Sequence, residues 1–122
     1  MDYAGKYVDG YVLPLPKAKV EAFREFAARV GAIWREHGAL AYVECVGEDV
    51  KPGTYTSFPQ AVDLQADETV VFAWIVFPSR AERDRINAAV MADPRSAEMS
   101  QDPMMFDGKR MFWGGFDVLV DV

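Results

Sequence analysis

The longest apolar stretch of the chain is Thr69 to Phe77, TVVFAWIVF, in which every residue after the threonine is hydrophobic. Its β-branched and aromatic content and the closing Pro78 predict a strand, and the lack of any polar parity predicts one covered on both faces. Tyr7 to Leu13 is a first strand, rich in Tyr and Val and closed by Pro14 and Pro16. From Val20 the period changes. Val20, Phe23, Phe26, Ala27, Val30, Ile33 and Trp34 recur at three- and four-residue spacing, with Lys19, Glu21, Glu25, Arg29 and Glu36 falling largely between them, which predicts an amphipathic helix. His37-Gly38 ends it, since glycine accepts the left-handed conformation of a helix terminus and the histidine can meet the last carbonyls. Leu40 to Gly47 predicts a second strand, and the Gly- and Pro-punctuated stretch to Gln60 a long loop, after which Ala61 to Leu64 is expected to add a short edge strand. Ser79-Arg80-Ala81-Glu82 has the spacing of a capping box and opens a second helix with a narrow stripe of Ile86, Ala89, Val90 and Met91, stopped at Asp93-Pro94. Arg95 to Lys109 carries Met99, Met104, Met105 and Phe106 among polar residues, as plain packing or as a cap on a cavity. The last strand runs from about Arg110 to Val120, with a bulge expected at Gly114-Gly115.

The order strand, helix, strand, strand, helix, strand predicts an α+β fold. Two right-handed crossovers give a ferredoxin-like βαββαβ subunit, a four-stranded antiparallel sheet with both helices on one face. The strand at 69–77 offers Val70, Phe72, Trp74 and Val76 to one side and Val71, Ala73, Ile75 and Phe77 to the other. No third long helix is available for the open side, so a second copy of the sheet is expected there, in a homodimer of the dimeric α/β-barrel type.

Composition narrows the class further. A chain of 122 residues, 51% hydrophobic, fits one domain over residues 1–122. Nineteen acidic against thirteen basic side chains give a net charge of −6, which argues against a nucleic-acid partner. No apolar run approaches the roughly 20 residues of a membrane span, and the first residues lack the basic-then-apolar order of a signal peptide, so a cytoplasmic protein without a membrane partner is expected. The lone Cys45 has no internal disulfide partner and reads as a small buried hydrophobe.

Small residues are expected to face the helices: Val8, Gly10, Val12, Val43, Cys45, Ala73, Ile75 and Gly114. Tyr7, Asp9, Tyr11, Tyr42, Glu44, Phe72, Trp74, Trp113 and Asp117 would then line the space between two sheets. A carboxylate in an aromatic cavity is desolvated, its pKa rises, and it becomes a proton donor or acceptor near neutrality. Glu44 and Asp9 are therefore the catalytic candidates, with Tyr11 and Tyr42 as ligand-positioning donors and Trp74 and Trp113 as apolar walls. Against this, both carboxylates could pair with Arg or Lys across the dimer or sit in water at strand ends. His37 is the remaining acid-base candidate, and its place at a helix end explains it without chemistry. One His and one Cys do not make a metal site, and a double glycine inside a strand is not a dinucleotide loop, so no metal or cofactor is expected. Arg24, Arg29, Arg35, Arg80, Arg83 and Arg85, interleaved with acids, read as solvated helix faces.

The segments YVDGYVLPLPK, WREHGALAYVECVGEDV, SFP, TVVFAWIVFPSRAERD and FDGKRMFWGGFDVLVD together resemble the YbaA-like bacterial family of unknown function, within the dimeric α/β-barrel superfamily. The resemblance covers almost the whole chain and implies a ferredoxin-like subunit that pairs through its sheet. The wider superfamily includes cofactor-free monooxygenases, haem-degrading enzymes, lactone isomerases and binding modules, and a shared fold does not choose among them. The expected aromatic cavity with few polar groups points instead to a small-molecule-binding homodimer, with proton transfer or cofactor-free oxygenation of a hydrophobic compound as its enzymatic form. A non-catalytic structural or partner-binding dimer is the rival. Some members carry a name tied to the RNA of the signal recognition particle, a role that the charge of −6 opposes.

Overall fold

The computed structural model describes residues 2–122. Strand β1 (Tyr7–Pro16) leads through a short 3-10 turn into helix α1 (Val20–Glu36), followed by β2 (Ala41–Val46), a short helix α2 (Phe58–Ala61), β3 (Glu68–Phe77), α3 (Arg80–Ala92), α4 (Pro94–Met99) and β4 (Phe112–Asp117). The sheet order is β2-β3-β1-β4, antiparallel throughout, which is the ferredoxin-like arrangement. β1 runs past both prolines because β4 stops pairing at Val12. Pro14 and Pro16 thus lie where β1 has a neighbour on one side only, a position at which a strand tolerates proline.

Several local signals act as expected. Gly38 has φ of +121°, and the Ser79 hydroxyl accepts from the Glu82 amide at 3.1 Å. Others do not. The expected edge strand at 61–64 is absent; instead Ser57 caps α2, its hydroxyl accepting from the Gln60 amide at 3.2 Å, with Pro59 in the first turn. The expected bulge at Gly114-Gly115 is also absent, since the β1–β4 register runs unbroken from Tyr7 opposite Asp117 to Val12 opposite Phe112. Trp113 and Asp117 accordingly share a face with Tyr11 and Tyr7.

That face is the one beneath the helices, which corrects the expected facing of three strands. Register places Tyr7 opposite Phe77, Asp9 opposite Ile75 and Tyr11 opposite Ala73, and Tyr42 and Glu44 of β2 opposite Ile75 and Ala73. Tyr7, Ile75 and Phe77 pack with Ile33 and Trp34 of α1 and Ile86 and Val90 of α3. Leu13, Leu15, Val71 and Ala73 pack with Phe23 and Ala27. Ala73 and Ile75 face the helices as expected, whereas Val8, Gly10, Val12, Val43, Cys45 and Gly114 lie on the open side. The small residues that permit close approach are on the helix instead: a Cβ on Gly31 of α1 would come within 2.6 Å of the Tyr42 ring. Cys45 is exposed rather than buried.

The open side is covered only at one end, where Val62, just after α2, packs on Val12 and Val70. Phe58 meets the edge of Phe72 at 5.9 Å, and Phe72 lies 5.6 Å from Trp74. Beyond this cover Phe72, Phe112 and Phe116 remain 45%, 47% and 61% exposed.

Candidate functional site

Strand alternation puts Tyr42 and Glu44, two residues apart on β2, on one face beneath α1. The Tyr42 ring lies against the helix backbone at Gly31, and its hydroxyl donates to Glu44 Oε1 at 3.0 Å. Glu44 Oε2 is buried and has no hydrogen-bond partner among the described residues. Burial raises the Glu44 pKa, and the Tyr42 hydrogen bond only partly opposes this. The Tyr42 hydroxyl is in turn pushed well above the usual tyrosine range, by burial first and by the neighbouring Glu44 second. It therefore keeps its proton and acts as a donor.

Glu44 stands at the junction of a two-lobed cleft. The outer lobe, about 240 Å³, lies between α1 and the β2 edge, with Leu15, Val20, Ala28, Val46 and Val71 as walls and Arg24 at its rim. The inner lobe, about 190 Å³, runs beneath α1 among Tyr11, Phe26, Trp34, Phe106 and Met111. Phe23, Ala27, Tyr42 and Glu44 line both. Tyr11 is stacked by Trp113, ring centroids 5.9 Å apart and planes within 20°. Its hydroxyl is held above the usual range by burial and by the carboxylates of Asp9 and Glu44, while Arg83 acts in the opposite direction. Phe106 reaches back from the segment before β4 to meet the edge of Phe23 at 6.3 Å.

Asp9 is fully buried one step along β1, beneath α3 rather than in the cleft. Arg83 Nη1 approaches its carboxylate at 3.6 Å, and the same guanidinium sits 5.0 Å over the Tyr7 ring and donates to the Tyr7 hydroxyl at 3.3 Å. Burial raises the Asp9 pKa, with Arg83 the main opposing influence. Asn87 is near enough to favour the charged form, yet neither Asp9 oxygen is in hydrogen-bond geometry with a described residue. Arg83, expected on a solvated face, is thus a buried partner with 11% of its side chain exposed.

Two sequence candidates lie elsewhere. Trp74 is on the open side with Phe72. His37 Nε2 pairs with Asp93 Oδ2 at 2.8 Å, and Arg95 bridges Asp93 to Glu36, so this cluster clasps the end of α1 to the α3–α4 junction. The structure therefore brings Tyr11, Tyr42 and Glu44 together with Trp113 behind them, and leaves Asp9 adjacent and His37 and Trp74 outside. Arg83 and Asn87 were legible in principle, since with Ile86 and Val90 they form an i, i+3, i+4, i+7 stripe. No group of three or more His, Cys, Asp or Glu side chains is placed to hold a metal ion among the described residues. None of the described helices is long and apolar enough to cross a membrane.

Comparison with known proteins agrees with this architecture. A point variant of SnoaB, a cofactor-independent oxygenase from Streptomyces nogalater, superposes with a TM-score of 0.62 at 13% identity, covering 97% of both chains. A dimeric ferredoxin-like protein from an uncultured marine organism superposes with a TM-score of 0.60 at 10% identity, covering 96% of this chain and 98% of the other. At these identities the likeness is one of fold. In sequence, the Escherichia coli K12 protein named Uncharacterized protein YbaA is 47% identical over 116 residues, 95% of this chain and 98% of that protein. Residues 6–108 match the model of the family described as Protein of unknown function (DUF1428), and the chain belongs to that family.

Proposed function

We propose that this protein binds a small, largely apolar molecule in the cleft between α1 and the sheet, and that Glu44 exchanges a proton with it there. The observation that carries this reading is the Glu44 carboxyl itself. It is half-buried at the junction of both lobes, one oxygen held by Tyr42 and the other buried without a partner among the described residues. Among the described residues no Lys or Arg forms an ion pair with it, so a salt bridge within the subunit does not account for a carboxyl at this position. A desolvated carboxyl with a raised pKa is suited to move a proton to or from a phenol, an enol or the carbon next to a carbonyl. Tyr42, which retains its proton, holds Oε1 and leaves Oε2 for the ligand; Tyr11 offers a second hydroxyl in the inner lobe. The shared fold with SnoaB, described as a cofactor-independent oxygenase, supports reading the cleft as one in which side chains alone do the chemistry.

The exposed aromatics Phe72, Phe112 and Phe116 support a second copy on the open side, and the marine neighbour described as dimeric supports the same pairing. In this reading the dimer stabilises the sheet, and each subunit carries its own cleft.

The test is calorimetric titration of a panel of phenols and enolisable ketones in two buffers of different ionisation enthalpy. Filling the cleft buries Glu44 further and raises its pKa, so the wild-type complex takes up a proton from the buffer, and Glu44→Gln binds the same ligand without that uptake. Failure of the whole panel to bind, or the same proton count with Glu44→Gln, would overturn the proposal.

A further inference from the structure

We infer that the ligand of this cleft is an apolar monoanion, whose acidic group is received by Arg24 at the rim while its apolar body extends inward toward Glu44. The inference rests on the proposed function and adds the class of molecule. Arg24 follows Phe23 on α1 and lines the outer lobe, whose remaining walls are apolar apart from Tyr42, Glu44 and Cys45 at the β2 side. Among the described residues lining either lobe, Arg24 is the one cation. The neighbouring cation on α1, Arg29, is engaged elsewhere, 5.8 Å from the Phe26 ring and 3.7 Å from Asp102.

The present partner of Arg24 is a replaceable one. Its Nε and Nη2 lie 3.1 and 3.3 Å from the two carboxylate oxygens of Glu21, a forked contact of the kind a ligand carboxylate or sulfonate also makes. Both side chains are mostly in water, 69% and 80% exposed. Such an i,i+3 pair contributes little, so an anion anchored by its apolar body displaces Glu21 at small cost. The two ends of the outer lobe then differ in kind: a permanent cation at the rim and a protonatable carboxyl at the floor. A neutral apolar molecule uses only the walls. A dianion places its second charge among apolar side chains or against Glu44, where nothing balances it.

Two dyes with one skeleton provide the test: 1-anilinonaphthalene-8-sulfonate, an apolar monoanion, and N-phenyl-1-naphthylamine, the same body without the charge. Fluorescence titration is performed on the wild type, Arg24→Gln, Glu21→Gln and Ala28→Trp, the last placing a bulky side chain from an exposed position into the outer lobe. Arg24→Gln should weaken the sulfonate by about three- to tenfold, in keeping with loss of a charged hydrogen bond in a partly solvated site. It should leave the neutral dye unchanged, and Glu21→Gln should tighten the sulfonate alone. Equal binding of both dyes, with no effect of Arg24→Gln, would overturn the monoanion inference while leaving the cleft in place. Binding of both dyes unaffected by Ala28→Trp would instead place them outside the cleft and count against the proposed function itself. Circular dichroism of each variant confirms that the fold is retained.

Discussion

Glu44 and Asp9 are carboxylates on the same face of one sheet, both with pKa raised by burial, and their partners separate their roles. Asp9 has Arg83; Glu44 has a neutral hydroxyl. Removing one half of a buried pair leaves a charge without compensation, so Arg83→Met should destabilise by about 3–5 kcal/mol in urea unfolding, and Asp9→Asn added to it should restore much of the loss. Glu44 behaves in the opposite way. Its folded pKa lies above its unfolded value, so the native state holds the proton more tightly, and stability present below the unfolded pKa is lost as pH rises through the folded one. Glu44→Gln should therefore melt at or above the wild-type temperature at pH 7 and flatten the decline of stability above the ordinary glutamate range. A large drop in melting temperature would mark Glu44 as scaffold. The unusual place of Glu44 was legible in sequence because a carboxylate inside LAYVECVG runs against strand preference, but the side of the sheet it faces was not. The pairing of Asp9 was not, because the partner lies 74 positions away on a helix whose arginines look alike until the helix is docked.

At the scale of elements, α1 organises the cleft. Its apolar stripe is plain in the sequence, and its position over Tyr42 depends on Gly31, where an added methyl meets the ring rather than open space. Gly31→Ala should cost about 1–3 kcal/mol through overpacking, despite alanine's better helix propensity, and this is read from denaturation midpoints. The inverted facing of β1, β2 and β4 has the same origin. Close approach of helix and sheet needs small residues on one partner, and here α1 supplies them with Ala27 and Gly31, leaving the strands free to carry Tyr, Trp and Glu inward. Pattern alone does not say which partner is the small one. Ser57-Phe58-Pro59-Gln60 did carry a readable helix start, a serine followed three residues later by glutamine with proline in the first turn, and it outweighs the brief alternation at 61–64.

For the whole molecule, the two-sided apolar β3 predicts a second sheet over the open side, and the segment around α2 covers one end of it. What remains is a patch of half-exposed Phe72, Phe112 and Phe116 with Trp74 among them, the kind of contiguous apolar surface that marks an interaction site. The proposed dimer predicts light-scattering mass near twice the 13.7 kDa of one chain, and a shift toward the single-chain value for Phe72→Glu, with helix content unchanged. A wild type that runs as a single chain at micromolar concentration would contradict the pairing without touching the cleft, because one subunit supplies Tyr11, Tyr42 and Glu44 together. The βαββαβ order could be read from periodicity, but the location of the cleft required the register, which places Tyr42 and Glu44 on the covered face of β2.

The most direct test of Glu44 as the proton-exchanging group is a carbon-13 NMR titration of its side-chain carboxyl, assigned by loss of the signal in Glu44→Gln. The carboxyl should titrate above the glutamate reference of about 4.3, and its midpoint should move when an apolar acid fills the cleft. A midpoint at the value of an exposed glutamate, unmoved by any such ligand, would contradict a buried acid-base group at the junction of the two lobes.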